Sequence, residues 1–247
     1  MKHLTPLLLF IFLAFNSVAQ DSEPIVTDRP TQTPASGIMP AGRFLLETGF
    51  LREASSPQLN TFIAPNLLLR YGVNEFFEVR LQQDYTFLDF SQGNESGFNS
   101  LKIGLKIKLA EEEGWKPQMS FLGNLTTTTG QEPVKNESIS SDFSLVFSNT
   151  LSERFSIGYS LGIINGESGF DSSLYTFVFS YALLDALTAF VEPYAFGLFD
   201  RSPNDHRING GLIYLLKDNI QIDASAGLGL SDISPDSFVA MGFSIGF

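Results

Sequence analysis

The sequence predicts an all-β fold, a transmembrane antiparallel up-and-down β-barrel of about twelve strands, and three observations lead there. Apolar side chains alternate with small or polar ones over stretches of roughly ten residues, the period of a strand with two unlike faces. The connections between these stretches alternate between tight turns and longer polar segments, as strands that cross a bilayer and return require. The chain holds 24 Phe and only 17% charged residues, yet no apolar run approaches the roughly 20 residues of a helical span.

Residues 1–19 read as an export signal. Lys2 and His3 precede an apolar run from Leu7 to Phe15, and Ser17-Val18-Ala19 supplies the small residues of a cleavage site. Loss of Lys2 from the 15 basic residues leaves 14 against 27 acidic ones, a mature charge of −13. Residues 20–41 carry Pro24, Pro30, Pro34 and Pro40, which suit neither helix nor interior strand. They form an extended lead-in to a barrel over 42–247, placed either in the lumen or in the periplasm.

Twelve strands are expected near 42–52, 58–71, 76–86, 99–109, 117–127, 138–150, 154–164, 173–183, 188–198, 206–216, 219–230 and 237–247. In the fourth, Leu101, Ile103, Leu105, Ile107 and Leu109 oppose Lys102, Gly104, Lys106 and Lys108. In the eleventh, Ile220, Ile222, Ala224, Ala226 and Leu228 oppose Gln221, Asp223, Ser225 and Gly227. A soluble β-sandwich also alternates, but its outer face meets water and carries charge. Here the second face of the later strands is mostly Gly, Ser and Ala, which suits a crowded, curved lumen wall. Aromatic residues such as Tyr71, Phe76, Phe77, Phe155, Tyr181 and Tyr214 sit near strand ends, where interfacial girdles belong.

The last strand ends Phe243, Ile245, Phe247 on one face. That pattern resembles the C-terminal strand by which outer-membrane barrels are recognised by their assembly machinery. Outer-membrane lipid and that machinery are therefore expected partners. Two longer stretches widen the resemblance: Ile25-Val26-Thr27-Asp28-Arg29-Pro30-Thr31-Gln32-Thr33-Pro34, and Gly42-Arg43-Phe44-Leu45-Leu46-Glu47-Thr48-Gly49-Phe50. Leu69-Arg70-Tyr71-Gly72 leading to Phe77-Glu78-Val79-Arg80, and Gly211 to Leu216 leading to Gln221-Ile222-Asp223, belong with them. Together they resemble a bacterial outer-membrane β-barrel family whose members are labelled transporters or proteins of a meta-cleavage phenol-degradation pathway. The resemblance implies the barrel class and the bacterial outer membrane, and says little of a substrate.

With apolar faces toward lipid, the inward residues of the first four strands are Arg43, Glu47, Arg70, Glu78, Arg80, Gln82, Asp84, Lys102, Lys106 and Lys108. Charges facing lipid are costly, so these line the lumen. Six cations and three carboxylates then crowd one wall, while the opposite wall offers small residues with isolated Asp142, Glu192, Arg207 and Asp223. Two readings compete: an ion-pair network of Arg70, Glu78, Arg80 and Glu47 that braces a narrow barrel, and a polar constriction that selects solutes. Twelve strands lie between a filled eight-strand barrel and an open porin, so a narrow pore or a plugged one is geometrically accessible.

The longer connections carry ten acids, from Asp89 to Asp236, against Lys135 and Arg201, which reads either as solvation of exposed loops that repels aggregation or as an outer rim that favours cations. The acidic balance argues against nucleic acid, and zero Cys excludes thiolate metal sites and thiol catalysis. No cofactor, metal or catalytic residue is expected. His206 is the sole mature histidine, and no Gly-x-Ser-x-Gly turn accompanies it. The leading expectation is a channel or transporter that passes or binds small solutes, small hydrophobic or aromatic compounds among them. A structural or surface-interaction barrel with a blocked lumen is the alternative, and an outer-membrane hydrolase the third.

Overall fold

A computed structural model describes residues 24–56, 59–166, 169–197 and 204–247, without the side chains of 169–171. The export signal expected over 1–19, and Glu167, Asp200 and Arg201 of the outer rim, lie outside the described residues, as does the side chain of Asp171.

The strands in chain order are β1 (Phe44–Ser56), β2 (Leu59–Gly72), β3 (Phe77–Phe90), β4 (Gly93–Phe98), β5 (Lys102–Ala110), β6 (Gln118–Thr126) and β7 (Ser140–Thr150). They continue as β8 (Phe155–Gly166), β9 (Gly169–Leu184), β10 (Leu187–Gly197), β11 (Asp205–Lys217), β12 (Ile220–Gly229) and β13 (Ser237–Gly246). Twelve of them, all but β4, pair antiparallel with their chain neighbours, and β13 returns to β1 to close the ring from Leu45↔Gly246 to Ala54↔Ser237. Closure leaves no sheet edge within the barrel, the condition for placing a sheet in lipid.

These strands lie where the alternation placed them. β4 is the exception, because 87–98 reads as a polar loop. In the structure β3 runs on to Phe90 and turns back as β4, a hairpin projecting past the barrel rim. Asn94, Glu95 and Gly97 give no strand signal of their own, and the pairing with Tyr85–Phe90 holds them extended. Proline inside a strand removes a ladder donor. Pro65 accordingly sits at the β2–β3 register shift between Ile63 and Asn66, and the β9–β10 register passes from Val191 to Tyr194 without Pro193.

The outward face is predominantly apolar: Ile103, Leu105 and Leu109 on β5, Ile222 and Leu228 on β12, and Val239, Met241 and Phe243 on β13 are all exposed, while the charged Arg52 on this face lies toward the long-loop end of β1. Among the described residues no helix is long and apolar enough to cross a membrane, and this face is the lipid-contacting surface that β-strands provide instead. Phe44, Phe76, Phe77, Tyr181, Tyr214 and Phe247 all lie at the short-turn end and remain exposed, and Trp115 in the β5–β6 connection joins their level. They form the aromatic girdle of that interface.

The inner face differs from expectation on one side. Besides small residues, the wall from β6 to β13 turns Leu122, Val146, Val178, Phe190, Tyr194 and Phe238 inward, all buried. They are buried because the lumen is packed rather than open at their level.

Candidate functional site

The inward charges of the first strands are brought together by sheet register. Arg70 on β2 stands directly opposite Arg80 on β3, and Glu78 opposite Lys106 on β5. Like charges opposite each other repel, so the wall needs anions between them. Glu78 supplies three contacts, a bidentate pair to Arg70 at 2.8 Å to Nε and 2.9 Å to Nη2, and one to Arg80 Nη1 at 3.2 Å. Glu47 adds one to Arg70 Nη1 at 3.1 Å. The network of Arg70, Glu78, Arg80 and Glu47 is thus present, but the six cations of the wall exceed the wall's three carboxylates.

The missing anion comes from outside the wall. Residues 24–41 enter the barrel, and Asp28 sits among three cations: its carboxylate pairs with Arg80, with Arg70 Nη1 at 3.4 Å and with Lys106 Nζ at 3.3 Å. Burial works to raise the Asp28 pKa, but Arg80, Lys106 and Arg70 outweigh it and hold the carboxyl well below the usual carboxylate range.

The same segment explains the acids that looked isolated. A proline-rich stretch forms no ladder of its own, so its backbone N–H groups need acceptors inside a space without bulk water. Glu47 accepts from the N–H of Asp28 at 3.1 Å and of Arg29 at 2.9 Å. Glu192, fully buried on β10, accepts from Gln32 N–H at 2.8 Å and Thr33 N–H at 2.6 Å, and also from Asn209 Nδ2 at 2.9 Å. Glu78 takes Met39 N–H at 2.8 Å, and Lys106 Nζ donates to the Ala35 carbonyl at 2.8 Å. Asp223 on β12 pairs with Arg29 Nη2 at 3.2 Å. Ser36 Oγ reaches Gln118 on β6 at 2.6 Å and Ser148 on β7 at 2.7 Å.

Glycine makes room for this occupant. Gly49 and Gly242 face each other across β1 and β13, and a Cβ on either would lie 2.5 or 2.0 Å from the Arg29 guanidinium group. The segment begins where Ile25 N–H donates to the Asp218 carbonyl at 2.7 Å in the β11–β12 turn. It leaves beside Gly72 in the β2–β3 turn, where Gly42 N–H meets the Gly72 carbonyl at 2.8 Å. Both turns belong to the short-turn end, so residues 24–41 fill the half of the lumen nearest those turns, the inner half.

The remaining predicted residues divide by height. Lys108 and Arg43 lie toward the short-turn rim, Lys108 beside Glu111 at 2.5 Å and Arg43 with its backbone bonded to Pro40 and Gly72. Asp84 and Lys102 sit above the plug and help line a cavity of about 310 Å³. Lys102 Nζ pairs with Asp142 at 3.2 Å, and Asn66 and Gln82 donate to Asp84 at 2.9 and 3.0 Å. Across the barrel, Arg207 bridges Asp205 and Glu53 and lies 5.4 Å from the Phe196 ring. His206 is exposed at the rim, where its backbone N–H meets Ser231 Oγ at 3.0 Å. The described residues hold no cluster of metal-ligating side chains.

Sequence reasoning missed Asp28, Arg29, Gln32 and Thr33 as parts of the site. The available signal was the charge imbalance itself: a wall with three surplus cations, facing solitary acids on small-residue strands, requires a charged polar occupant.

Comparison with known proteins places these features. A family model described as "Putative MetA-pathway of phenol degradation" matches residues 27–247. The COG4313 outer membrane channel from Pseudomonas putida F1 superposes with a TM-score of 0.71 at 13% identity, over 88% of this chain and 100% of that one. The KdgM porin gives 0.58 at 10% identity, over 82% and 99%. The NanC porin gives 0.55 at 8%, over 82% and 98%. No curated protein matches. At these identities the structures share the fold, and that fold is an outer-membrane barrel.

Proposed function

We propose, from the premise that the chain belongs to the family described as "Putative MetA-pathway of phenol degradation", that it is an outer-membrane channel for small solutes, closed at rest by residues 24–41. The carrying observation is the contrast along the lumen. The inner half is filled by a segment held through hydrogen bonds and ion pairs to strands on every side, while the outer half keeps a polar cavity. The bonds that hold the segment are polar and exchangeable with water, unlike a dry apolar plug. Several wall atoms around it, including Ser120 Oγ, Ser225 Oγ and Asn209 Oδ1, are buried without a protein partner and suit water along its surface. The names of the similar structures, an outer membrane channel and two porins, support the reading.

Passage then requires the segment to leave, and the charged wall of Arg70, Glu78, Arg80, Lys106, Glu47, Glu192 and Asp223 becomes the constriction it uncovers. The short-turn end faces the periplasm in this reading, and apolar strands, lipid and the assembly machinery are partners of the barrel rather than of the pore. Planar-bilayer recording tests the proposal: the full chain should show rare openings and a variant lacking residues 24–38 steady ones. A silent deletion variant that is nonetheless folded would overturn it. The density of buried ion pairs around Asp28 favours a second reading, a permanently blocked structural barrel. In that case the full chain never opens at any voltage, and solute uptake is the same with or without it in cells.

A further inference from the structure

Resting on the reading of the barrel as a solute channel, we infer that the cavity above the plug is a binding station for a small uncharged polyhydroxylated solute, the size of a monosaccharide or less. Its walls come from β3, β5, β6, β7 and β8 and from the β4–β5 and β6–β7 connections, so the site is formed by the barrel mouth and not by one loop. The volume of about 310 Å³ corresponds to some ten waters at about 30 Å³ each, room for a solute of about a dozen non-hydrogen atoms.

The chemistry of the lining selects the class. Ten of the eleven lining side chains are polar, with Ile164 the exception, and none is aromatic. Donors and acceptors are interleaved. Lys102 and the amides of Asn99 and Asn136 donate, Asp84 and Asp142 accept, and the hydroxyl of Thr126 can do either. The two carboxylates are already braced, Asp84 by Asn66 and Gln82, Asp142 by Asn124 at 2.6 Å and Lys102 at 3.2 Å. Such pre-fixed carboxylate and amide edges suit vicinal hydroxyls, which offer one donor and one acceptor each. A hydrocarbon ring would strip these groups of water and return nothing.

The aromatic side of the lumen does not compete for this role. Phe190, Tyr194 and Phe238 turn inward on the opposite wall but are only 5–8% exposed, their faces consumed by packing. The polar cavity also stands immediately above the plug. Along β3 the inward residues run Arg80, Gln82, Asp84, so a solute in the cavity rests one inward position above the Arg80–Asp28 pair.

The test is equilibrium binding of labelled glucose and of xylitol to the full chain in detergent, which needs no conduction and so separates this inference from the channel reading. Saturable binding is expected, weakened about tenfold by Lys102→Met. The nearly isosteric Thr126→Val, which leaves the ion pairs in place, is expected to weaken it severalfold. Phenol and benzyl alcohol should not displace the sugar. Absence of saturable polyol binding, displacement by the aromatic alcohols, stronger binding of lysine or glutamate than of glucose, or indifference to both substitutions would each overturn the inference.

Discussion

Replacing Asp28 by Ala is the sharpest probe of the plug. Docked, the Asp28 carboxylate faces Arg70, Arg80 and Lys106, two of which are fully buried. Its removal leaves three cations against Glu78 and Glu47 in a largely buried space. Removing one partner of a buried charge pair costs about 3–5 kcal/mol, because the other charge is left uncompensated. The undocked state escapes that cost, since water fills the vacated lumen and solvates the wall. The docked–undocked equilibrium therefore moves by two to three and a half powers of ten at about 1.4 kcal/mol per decade. The chain contains no cysteine, so Ser36→Cys, at a position 5% exposed in the docked state, supplies a unique thiol. Its labelling rate with a soluble maleimide should rise at least 100-fold when Asp28→Ala is added. Lys106→Met should also accelerate labelling, and the double substitution should cost less than the sum of the two, as coupled neighbours do. A change below threefold on Asp28→Ala would refute the assignment of Asp28 as the electrostatic anchor.

Other perturbations follow from the same geometry. Gly242→Ala should assemble normally and displace only the flexible Arg29 guanidinium from Asp223, whereas Gly72→Ala brings a Cβ to 2.1 Å from the Pro40 carbonyl oxygen and should lower the yield of folded barrel; equal heat-modifiability on gels for the two would contradict this. Because the docked Asp28 pKa is depressed, its contribution is complete above the free carboxylate value of about 4 and is lost only as the pH falls through the lower docked value. Conductance of the full chain should accordingly stay low from pH 7 to pH 4 and rise further down, and an opening transition between pH 5 and 7 would count against it. Deleting Phe247 removes both its backbone bonds to Phe44, at 2.8 and 3.1 Å, and the end of the terminal strand. The amount of folded protein in outer-membrane fractions should drop, and unchanged assembly would argue that the terminal residue carries no signal.

Period-two alternation made the strands legible because lipid forces it: Ile103, Leu105 and Leu109 have no other place to go. Lone charges such as Glu192 and Asp223 were legible as inward for the same reason. What opposed them was not. The prolines of 20–41 excluded helix and ladder but carried no information on position. The acceptors that fix that segment lie from 18 to more than 150 residues away in the chain, as Arg29–Glu47 and Thr33–Glu192 show. The hairpin of β3 and β4 escaped notice because Gly93–Phe98 has neither alternation nor β-branched residues, and its strand character comes from its partner.

The path of residues 24–41 has a topological consequence. The segment goes in beside Asp218 and comes out beside Gly72, two turns on one rim of the barrel, so it is a loop and not a thread. A thread through the pore would have to be captured while the strands close around it. A loop can be pushed in, or drawn back, after β13 has zipped onto β1, with no free end ever passing through. With Ile25 and Gly42 bonded at the same rim, this geometry sets no topological bar between closing the cylinder and filling it, so the release proposed above would not require the closure to be undone.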